Sequence, residues 1–171
     1  MKSVLVSVQP MWCEPIAYLN KSVEIRKTRP KIDTPFKCYI YQTTKSYINK
    51  LLDTDGRLWE VLHFGRGKVI GEFICDEIYP IKVFSNCAIQ NWNWYKLSRS
   101  CLSIDDVAEY IGVNKTGYGW HISNLVIYDE PKELSEFRYF NPTVKFENGY
   151  PMPTHKMTRP PQSWCYVQEL G

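Results

Sequence analysis

The sequence predicts a single α+β domain, residues 1–171, in which about six mostly antiparallel strands form a β-barrel flanked by two or three helices. The strand candidates are short, alternating and rich in β-branched and aromatic residues, and they lack the regular helical crossovers that parallel pairing requires. Hydrophobic residues make up 44% of the chain and charged residues 23%, a composition that can bury a core. The length of 171 residues suits one domain.

The N-terminal part of the chain predicts a strand followed by a helix. Three alternating valines indicate a strand at residues 3–8. Pro10 can open a helix that runs to Leu19, because its missing N–H would be unpaired in the first turn. Pro15 shortens or kinks this helix. Asn20 then suits the left-handed turn that ends it.

The rest of the chain predicts five more strands and two more helices. The strands are expected at residues 22–27, 36–43, 69–78, 120–128 and 164–168. A short helix is predicted at residues 47–52 before a turn at 53–56, and residues 86–100 and 131–140 are predicted to be irregular or mixed. Ser103 and Asp106 form a capping-box-like start for a helix that ends at Gly112. Residues 141–159 are rich in Pro and predict an exposed loop.

Positive charge is concentrated in one short segment. The net charge of +3 is too small for nonspecific coating of DNA, so any electrostatic footprint must be local. Five cations lie within eleven residues that contain one acid, Glu24. These cations are Lys21, Arg26, Lys27, Arg29 and Lys31. Such a run is either a solvated face or a phosphate-binding surface.

The cysteine and histidine spacing gives no indication of a metal site. The six cysteines and three histidines are scattered, and no C-x-x-C pair occurs. The chain has no stretch of signal-peptide type and no apolar run long enough to cross a membrane. We therefore expect a reduced, cytoplasmic protein with buried thiols, without a metal, a cofactor or a membrane contact. The sequence does not determine its oligomeric state.

One segment near the N-terminus resembles the signature of a known family. Residues 19–26 read LNKSVEIR and resemble the G-x-K-x-x-E-x-R signature of the ASCH domain, with Asn20 in place of the glycine. Lys21, Glu24 and Arg26 match the signature. Four further stretches, at residues 39–41, 67–73, 119–125 and 158–167, resemble ASCH proteins of bacterial phages and prophages. The resemblance implies a PUA-like barrel whose first helix lies beside a cleft, with RNA or a nucleotide as ligand.

The residues of this segment also suggest a binding chemistry. Strand alternation places Glu24 and Arg26 on one face, and Lys21 lies just before the strand. Val23 and Ile25 occupy the opposite face for the core, so the polar face must meet solvent or a ligand. Two cations can hold a phosphate while the carboxylate accepts a hydrogen bond from a base amine. The alternative is a surface ion pair without a function.

Aromatic residues are abundant, at 15% of the chain, and some of them are candidates for stacking on bases. The candidate ligand-binding aromatics are Tyr39, Tyr41, Tyr118, Trp120 and Trp164. The alternative for each is packing inside the barrel, where large rings fill space.

Catalysis is the main alternative to binding alone. Some ASCH proteins that resemble this chain remove the acetyl group of N(4)-acetylcytidine, with a Lys at the position of Lys21 and a Thr where this chain has Glu24. The Glu24 carboxylate would favour the charged form of Lys21, the wrong direction for a nucleophilic amine. Ribonuclease activity, which other relatives imply, needs a base such as His121 or Lys21. The candidate catalytic residues are therefore Lys21, Glu24 and His121, and the residues favour binding over catalysis.

The sequence thus predicts an RNA- or nucleotide-binding module, a regulator of phage or bacterial RNA. In this hypothesis Lys21→Ala or Arg26→Ala weakens RNA binding without unfolding the protein. A hydrolase acting on a modified nucleoside or on RNA is the alternative. The acidic and aromatic segment at residues 129–140 suggests a third function, that of a phage accessory protein that binds a host protein.

Overall fold

The structure is a computed structural model, and it describes residues 2–44, 65–85, 88–90, 94–140 and 154–170. The predicted helix at residues 47–52, the turn at 53–56 and residues 141–153 of the predicted loop lie outside the described residues. Within the described ranges the chain has a mixed α/β fold with two sheets.

The described residues form eleven strands and three α-helices. The strands are β1 (Lys2–Val8), β2 (Val23–Arg26), β3 (Phe36–Gln42), β4 (Val69–Cys75), β5 (Ile78–Ser85), β6 (Ala88–Gln90), β7 (Thr116–His121), β8 (Ser123–Lys132), β9 (Arg138–Tyr139), β10 (His155–Lys156) and β11 (Trp164–Gln168). The helices are α1 (Pro10–Ala17), α2 (Trp94–Ser98) and α3 (Ile104–Ile111), and a 3₁₀ turn covers Leu134–Glu136.

The strands form two sheets, and the predicted closed barrel is not confirmed. The seven-stranded sheet has the order β10-β9-β11-β1-β3-β4-β8, and the four-stranded sheet has the order β2-β7-β5-β6. Neither order closes on itself within the part of the chain that the structure describes. The strands β1 and β3 are parallel, whereas β2, β7, β5 and β6 pair antiparallel, as predicted.

The described strands fall into two compact units. The first unit contains the seven-stranded sheet and comprises residues 1–14, 36–73 and 126–171. The second unit contains the four-stranded sheet and comprises residues 15–35 and 74–125. That the chain acts as a single domain of residues 1–171 stays a prediction.

The core of the first unit lies along β1, β3 and β11. Every residue from Ser3 to Val8 is buried, as expected for a strand with a neighbour on each side. The buried cluster consists of Leu5, Tyr39, Tyr41, Val69, Phe137, Met157 and Val167. The rings of Tyr39 and Phe137 meet edge to face, with centroids 4.9 Å apart. Phe137 lies in the segment predicted as mixed structure, and Met157 lies in the predicted loop. Both segments therefore contribute to the core.

The core of the second unit lies between one face of its sheet and the helices α2 and α3. It contains Val23, Ile25, Tyr79, Ile81 and Val83 from the strands, and Leu97, Val107, Ala108 and Ile111 from the helices. Helix α3 begins at the predicted capping box. The Ser103 hydroxyl accepts a hydrogen bond from the Asp106 N–H at 3.1 Å, and the Asp106 carboxylate accepts one from the Ser103 N–H at 3.0 Å. A side chain at Gly119 would clash with the ring of Tyr79, which explains the glycine.

The middle of the chain contains more structure than the sequence predicted. The predicted strand at residues 69–78 ends at Cys75, because Asp76 and Glu77 interrupt the pattern before β5 begins. Residues 86–100, predicted to be irregular, contain β6 and α2. These additional short elements raise the strand count above the predicted six.

Two further boundaries were wrong. The predicted strand at residues 120–128 is two strands, β7 and β8, which separate at Ile122 because they belong to different sheets. Helix α1 ends at Ala17 instead of Leu19. As a result Leu19, and not Asn20, adopts the left-handed conformation, with a φ of 61°.

Candidate nucleic-acid interface

Strand β2 presents the predicted polar side chains on one face of the four-stranded sheet. In the antiparallel register with β7, Glu24 lies opposite Trp120 and Arg26 lies opposite Tyr118. Residues directly opposite in an antiparallel pair point to the same face. The four side chains therefore share the face that points away from the hydrophobic core, and the predicted common face of Glu24 and Arg26 is confirmed.

The three charged residues of the signature segment lie together, and we call Lys21, Glu24 and Arg26 the charged cluster. Arg26 Nη2 lies 2.8 Å from Glu24 Oε1, and Lys21 Nζ lies 3.4 Å from Glu24 Oε2. Lys21 Nζ also donates hydrogen bonds to the carbonyl oxygens of Val23, at 2.9 Å, and Ser100, at 2.6 Å. The ammonium group is therefore directed into the protein.

The charged cluster is buried, whereas the sequence predicted that this face meets solvent or a ligand. Lys21 is 2% exposed, and Glu24 and Arg26 are each 7% exposed. Removing a charge from water costs several kcal/mol unless other groups replace the lost hydration. Carbonyl oxygens and the Glu24 carboxylate do this for Lys21.

The segment before β2 is held by a loop that is distant in sequence. The N–H groups of Ser22 and Val23 donate to the Arg99 carbonyl oxygen at 2.9 and 3.1 Å. The Arg99 guanidinium donates to the Ser22 hydroxyl at 2.9 Å and to the Leu19 carbonyl oxygen at 3.2 Å. These contacts position Lys21 beside the Ser100 carbonyl. Sequence reasoning missed Arg99 and Ser100, and no local pattern could have found them.

One oxygen of Glu24 has no hydrogen-bond donor among the described residues. Glu24 Oε2 is buried, and its contact with Lys21 Nζ at 3.4 Å is electrostatic. Buried polar atoms in proteins nearly always have a hydrogen-bond partner. The arrangement leaves a fixed acceptor that the N–H group of a ligand could use.

Exposed cations follow β2 directly. Lys27, Arg29 and Lys31 are all exposed. Lys27 Nζ lies 5.0 Å from the centroid of the Tyr110 ring, and Arg26 hydrogen-bonds the same tyrosine. Burial raises the pKa of Tyr110, and the nearby Arg26 opposes this increase in part. Tyr110 thus contacts both the buried cluster and the exposed loop.

The predicted stacking residues are divided between the two units. Tyr39 and Tyr41 are buried in the core of the first unit, where burial raises the pKa of both hydroxyl groups. Trp164 lies in β11 of the same unit, edge to face with Tyr166 at 5.3 Å. In the second unit Trp120 is fully buried, and Tyr118 is half-buried.

A second polar pair lies in the second unit. His121 Nδ1 is 2.7 Å from Asp76 Oδ1, and both side chains are partly exposed. Partial burial alone would raise the pKa of Asp76, but the hydrogen bond with His121 lowers it below its usual value. A carboxylate that holds Nδ1 orients a histidine so that Nε2 can act as a base. The sequence indicated His121 but missed Asp76, which is 45 residues away.

Other site types find little support in the described residues. No group of three His, Cys, Asp or Glu side chains there could hold a metal ion. The described cysteines are free thiols. Burial raises the pKa of Cys75 to about 12. The longest described helices have eight residues, whereas a membrane span needs about 20, so none of them could cross a bilayer.

The fold is similar to that of ASCH crystal structures from Zymomonas mobilis. The ASCH structure of that organism has 15% sequence identity and a TM-score of 0.53, over 98% of this chain and 88% of that chain. The chain has the fold of an ASCH domain. A Ser-to-Ala variant of that protein has a TM-score of 0.59 and 16% identity, over 98% of this chain and 89% of that chain. A Tyr-to-Phe variant has a TM-score of 0.53 and 17% identity, over 78% and 77%.

The sequence alone gives no comparable match. No family model matches the chain. No curated protein matches it. The similarity to the Zymomonas mobilis structures therefore concerns the ASCH fold, and the resemblance to phage proteins stays a prediction.

Proposed function

We propose that this chain binds RNA or a nucleotide through its second unit. In this proposal Glu24 accepts a hydrogen bond from a base, and the exposed cations after β2 contact phosphate. The observation that carries the proposal is Glu24 Oε2, a buried acceptor without a donor among the described residues. Leaving such a group unsatisfied is destabilising, and a base amine would supply the donor.

The charge distribution supports the same ligand class. Lys27, Arg29 and Lys31 are exposed within five residues that contain no acid. Phosphate contacts from lysine and arginine supply most of the sequence-independent affinity for nucleic acids. The ASCH fold and the G-x-K-x-x-E-x-R resemblance agree with this chemistry. The biological role proposed here is a regulator of phage or bacterial RNA.

A shape-conserving substitution tests the Glu24 contact. Glu24→Gln keeps the size of the side chain but removes the charge that a base amine would meet. We expect the affinity for cytidine monophosphate, measured by calorimetry, to fall about tenfold or more, since a hydrogen bond to a charged group is the stronger kind. Glu77→Gln is the matched control, because Glu77 pairs with Lys96 at 2.7 Å in the same unit but is exposed. Unchanged affinity in Glu24→Gln, or a wild type that binds neither nucleotide nor RNA, refutes the proposal.

The exposed cations are tested by salt dependence. We expect the combined variant Lys27→Ala, Arg29→Ala and Lys31→Ala to flatten the slope of log affinity against log salt for single-stranded RNA by about 2, or roughly 0.7 for each lost phosphate contact. Lys68→Ala is the control, because Lys68 is a partly exposed cation of the first unit that pairs with Glu133. An unchanged slope in the combined variant contradicts a role for this segment.

A second candidate function is hydrolysis of RNA or of a modified nucleoside, and the His121–Asp76 pair favours it. The pair has the geometry of an oriented general base, and Arg29 lies within electrostatic range of the neighbouring Cys75. Lys21 is less suited to catalysis, since its ammonium donates to two carbonyl oxygens and points inward.

Product analysis separates hydrolysis from binding. The protein is incubated with labelled single-stranded RNA and, separately, with N(4)-acetylcytidine, and the products are resolved by chromatography. Product formed by the wild type and lost in His121→Ala supports hydrolysis at this pair. Absence of product from the wild type leaves the binding function alone.

A further inference from the structure

The sheet of the second unit has an outer face, opposite its hydrophobic core, that continues beyond the charged cluster. Tyr118 lies between Arg26 on β2 and Pro80 on β5, and Thr116 lies opposite Lys82. Opposed residues share a face, so these side chains form two adjacent rows across the sheet. Among the described residues of these rows there is no carboxylate.

The exposure of this face increases away from the charged cluster. Trp120 is fully buried and Tyr118 is half-buried. Pro80, Lys82 and Thr116 are exposed. The face therefore changes from a buried polar end to an open end that solutes can reach.

An aromatic ring lies at the open end. Phe84 is 44% exposed, and Lys82 Nζ lies 4.9 Å from the centroid of its ring. In the pairing of β5 with β6, Val83 opposes Ile89 and Ser85 opposes Ala88, so Phe84 is the additional residue of a β-bulge. Bulges change the direction of a side chain and are frequent beside functional sites. The bulge presents the Phe84 ring to solvent beside a cation.

We propose that this outer face is a stacking surface for single-stranded RNA, with bases on Phe84 and Tyr118 and a phosphate near Lys82. The inference rests on the proposed function and names its ligand as an oligonucleotide. Exposed aromatic rings interleaved with cations are the common arrangement in proteins that bind single strands. The Lys82 ammonium complements the phosphate charge, and the described residues of the two rows contain no carboxylate to compete for it.

The spacing of the rings distinguishes an oligonucleotide from a mononucleotide. Tyr118 lies opposite Pro80 on β5. Phe84 is four residues further along β5, or about 13 Å at the usual rise of a strand. One base cannot contact both rings, so separate nucleotides must occupy them. Bases in a duplex are stacked inside and cannot reach either ring.

The test compares three probes in one set of variants. The probes are a labelled single-stranded oligocytidine RNA, an RNA duplex and cytidine monophosphate, and the variants are Phe84→Ala, Phe84→Trp and Lys82→Ala. We expect Phe84→Ala to weaken oligocytidine binding at least about fivefold, while Phe84→Trp retains it, since stacking depends on an aromatic ring. Binding of cytidine monophosphate should not change. Lys82→Ala should lower the salt slope by about 0.7, one phosphate contact on a single strand.

A matched control variant keeps the test specific, and circular dichroism checks that each variant is folded. Lys96→Ala is the control, because Lys96 Nζ also lies over a ring, 3.8 Å from the centroid of Tyr79, which belongs to the core. Oligocytidine affinity that is unchanged in Phe84→Ala, or lost equally for the duplex or the mononucleotide, overturns the inference although the proposed function stands. A wild type that binds none of the three probes overturns the proposed function itself.

Discussion

The two units each contain a three-residue ion cluster, but with opposite arrangements. In the first unit one cation, Lys37, lies between two carboxylates, at 2.9 Å from Glu72 and 3.3 Å from Glu169. In the charged cluster of the second unit one carboxylate lies between two cations. The side chains around Lys37 are 22–28% exposed, whereas those of the charged cluster are 2–9% exposed.

The difference in burial separates a structural contact from a candidate binding site. Glu72 has partners on both oxygens, because Oε1 contacts Lys37 and Oε2 accepts a hydrogen bond from the Tyr128 hydroxyl at 2.6 Å. Glu24 is more deeply buried, yet one of its oxygens has no donor among the described residues. The half-buried network around Glu72, in which both carboxylate oxygens have partners, is explained by its contribution to the stability of the first unit. In the proposed function, a ligand supplies the hydrogen-bond donor that this buried Glu24 oxygen lacks among the described residues.

The largest effect is expected from removing the buried lysine. Lys21→Met leaves Glu24 without one cation and two buried carbonyl oxygens without their donor, so we expect a loss of about 3–5 kcal/mol in the free energy of unfolding. Urea denaturation monitored by fluorescence measures it. The result would revise the sequence-based hypothesis that Lys21→Ala leaves the fold intact. A loss as small as that of Lys37→Met would show that the charged cluster is hydrated in solution.

A smaller effect is expected from the helix cap of the second unit. Ser103→Ala removes the hydroxyl that accepts the Asp106 N–H and should cost about 1 kcal/mol. The first unit offers the comparison, since Glu136 Oε1 accepts the Glu133 N–H at 2.7 Å at its 3₁₀ turn. We expect Glu136→Ala to cost less, because a single turn buries no residue of its own. Equal losses of stability in Ser103→Ala and Glu136→Ala would mean that the packing of α3 does not depend on its first turn.

Acid should weaken the contacts that Glu72 makes in the first unit and thereby lower the free energy of unfolding. Burial alone would raise the pKa of Glu72, but the Tyr128 hydroxyl and Lys37 lower it below the ordinary value of 4.5. A carboxylate whose pKa is lowered by folding stabilises the protein fully above pH 4.5. This stability is lost as the pH falls through the pKa of the folded state. Tyr128→Phe removes one hydrogen-bond donor to Glu72. It should reduce the pH-dependent part of the free energy of unfolding by less than about 1 kcal/mol, since these side chains are partly hydrated. Urea denaturation across the acid range measures it, and an unchanged profile contradicts the assignment.

Salt should have the smallest effect on stability, and it should affect the ion cluster around Lys37 but not the charged cluster. The cost of Lys37→Met, less than about 1 kcal/mol in dilute buffer, should approach zero in high salt because partly exposed pairs are screened. The cost of Lys21→Met should persist, since a buried cluster excludes counterions. Thermal unfolding at two salt concentrations provides the comparison. Equal sensitivity to salt in both variants would contradict the difference in burial.

Features that depend on near neighbours could be predicted from the sequence. The first strand follows from alternating valines, and the start of α3 follows from the Ser103 and Asp106 capping pair. The common face of Glu24 and Arg26 follows from strand alternation alone. The strand β5 was missed because it follows Asp76 and Glu77, which break the pattern of β4, and because it contains Pro80. The strand β6 was missed because it has only three residues.

Only the tertiary structure decided which of these faces are covered. The sequence by itself determined that Glu24 and Arg26 point the same way, but alternation does not say whether their face meets solvent. Burial of Lys21 depends on the Ser100 carbonyl, 79 residues away, and the His121 partner is 45 residues away. Contacts at such separations are set by how the strands pair and pack, since no local propensity encodes them.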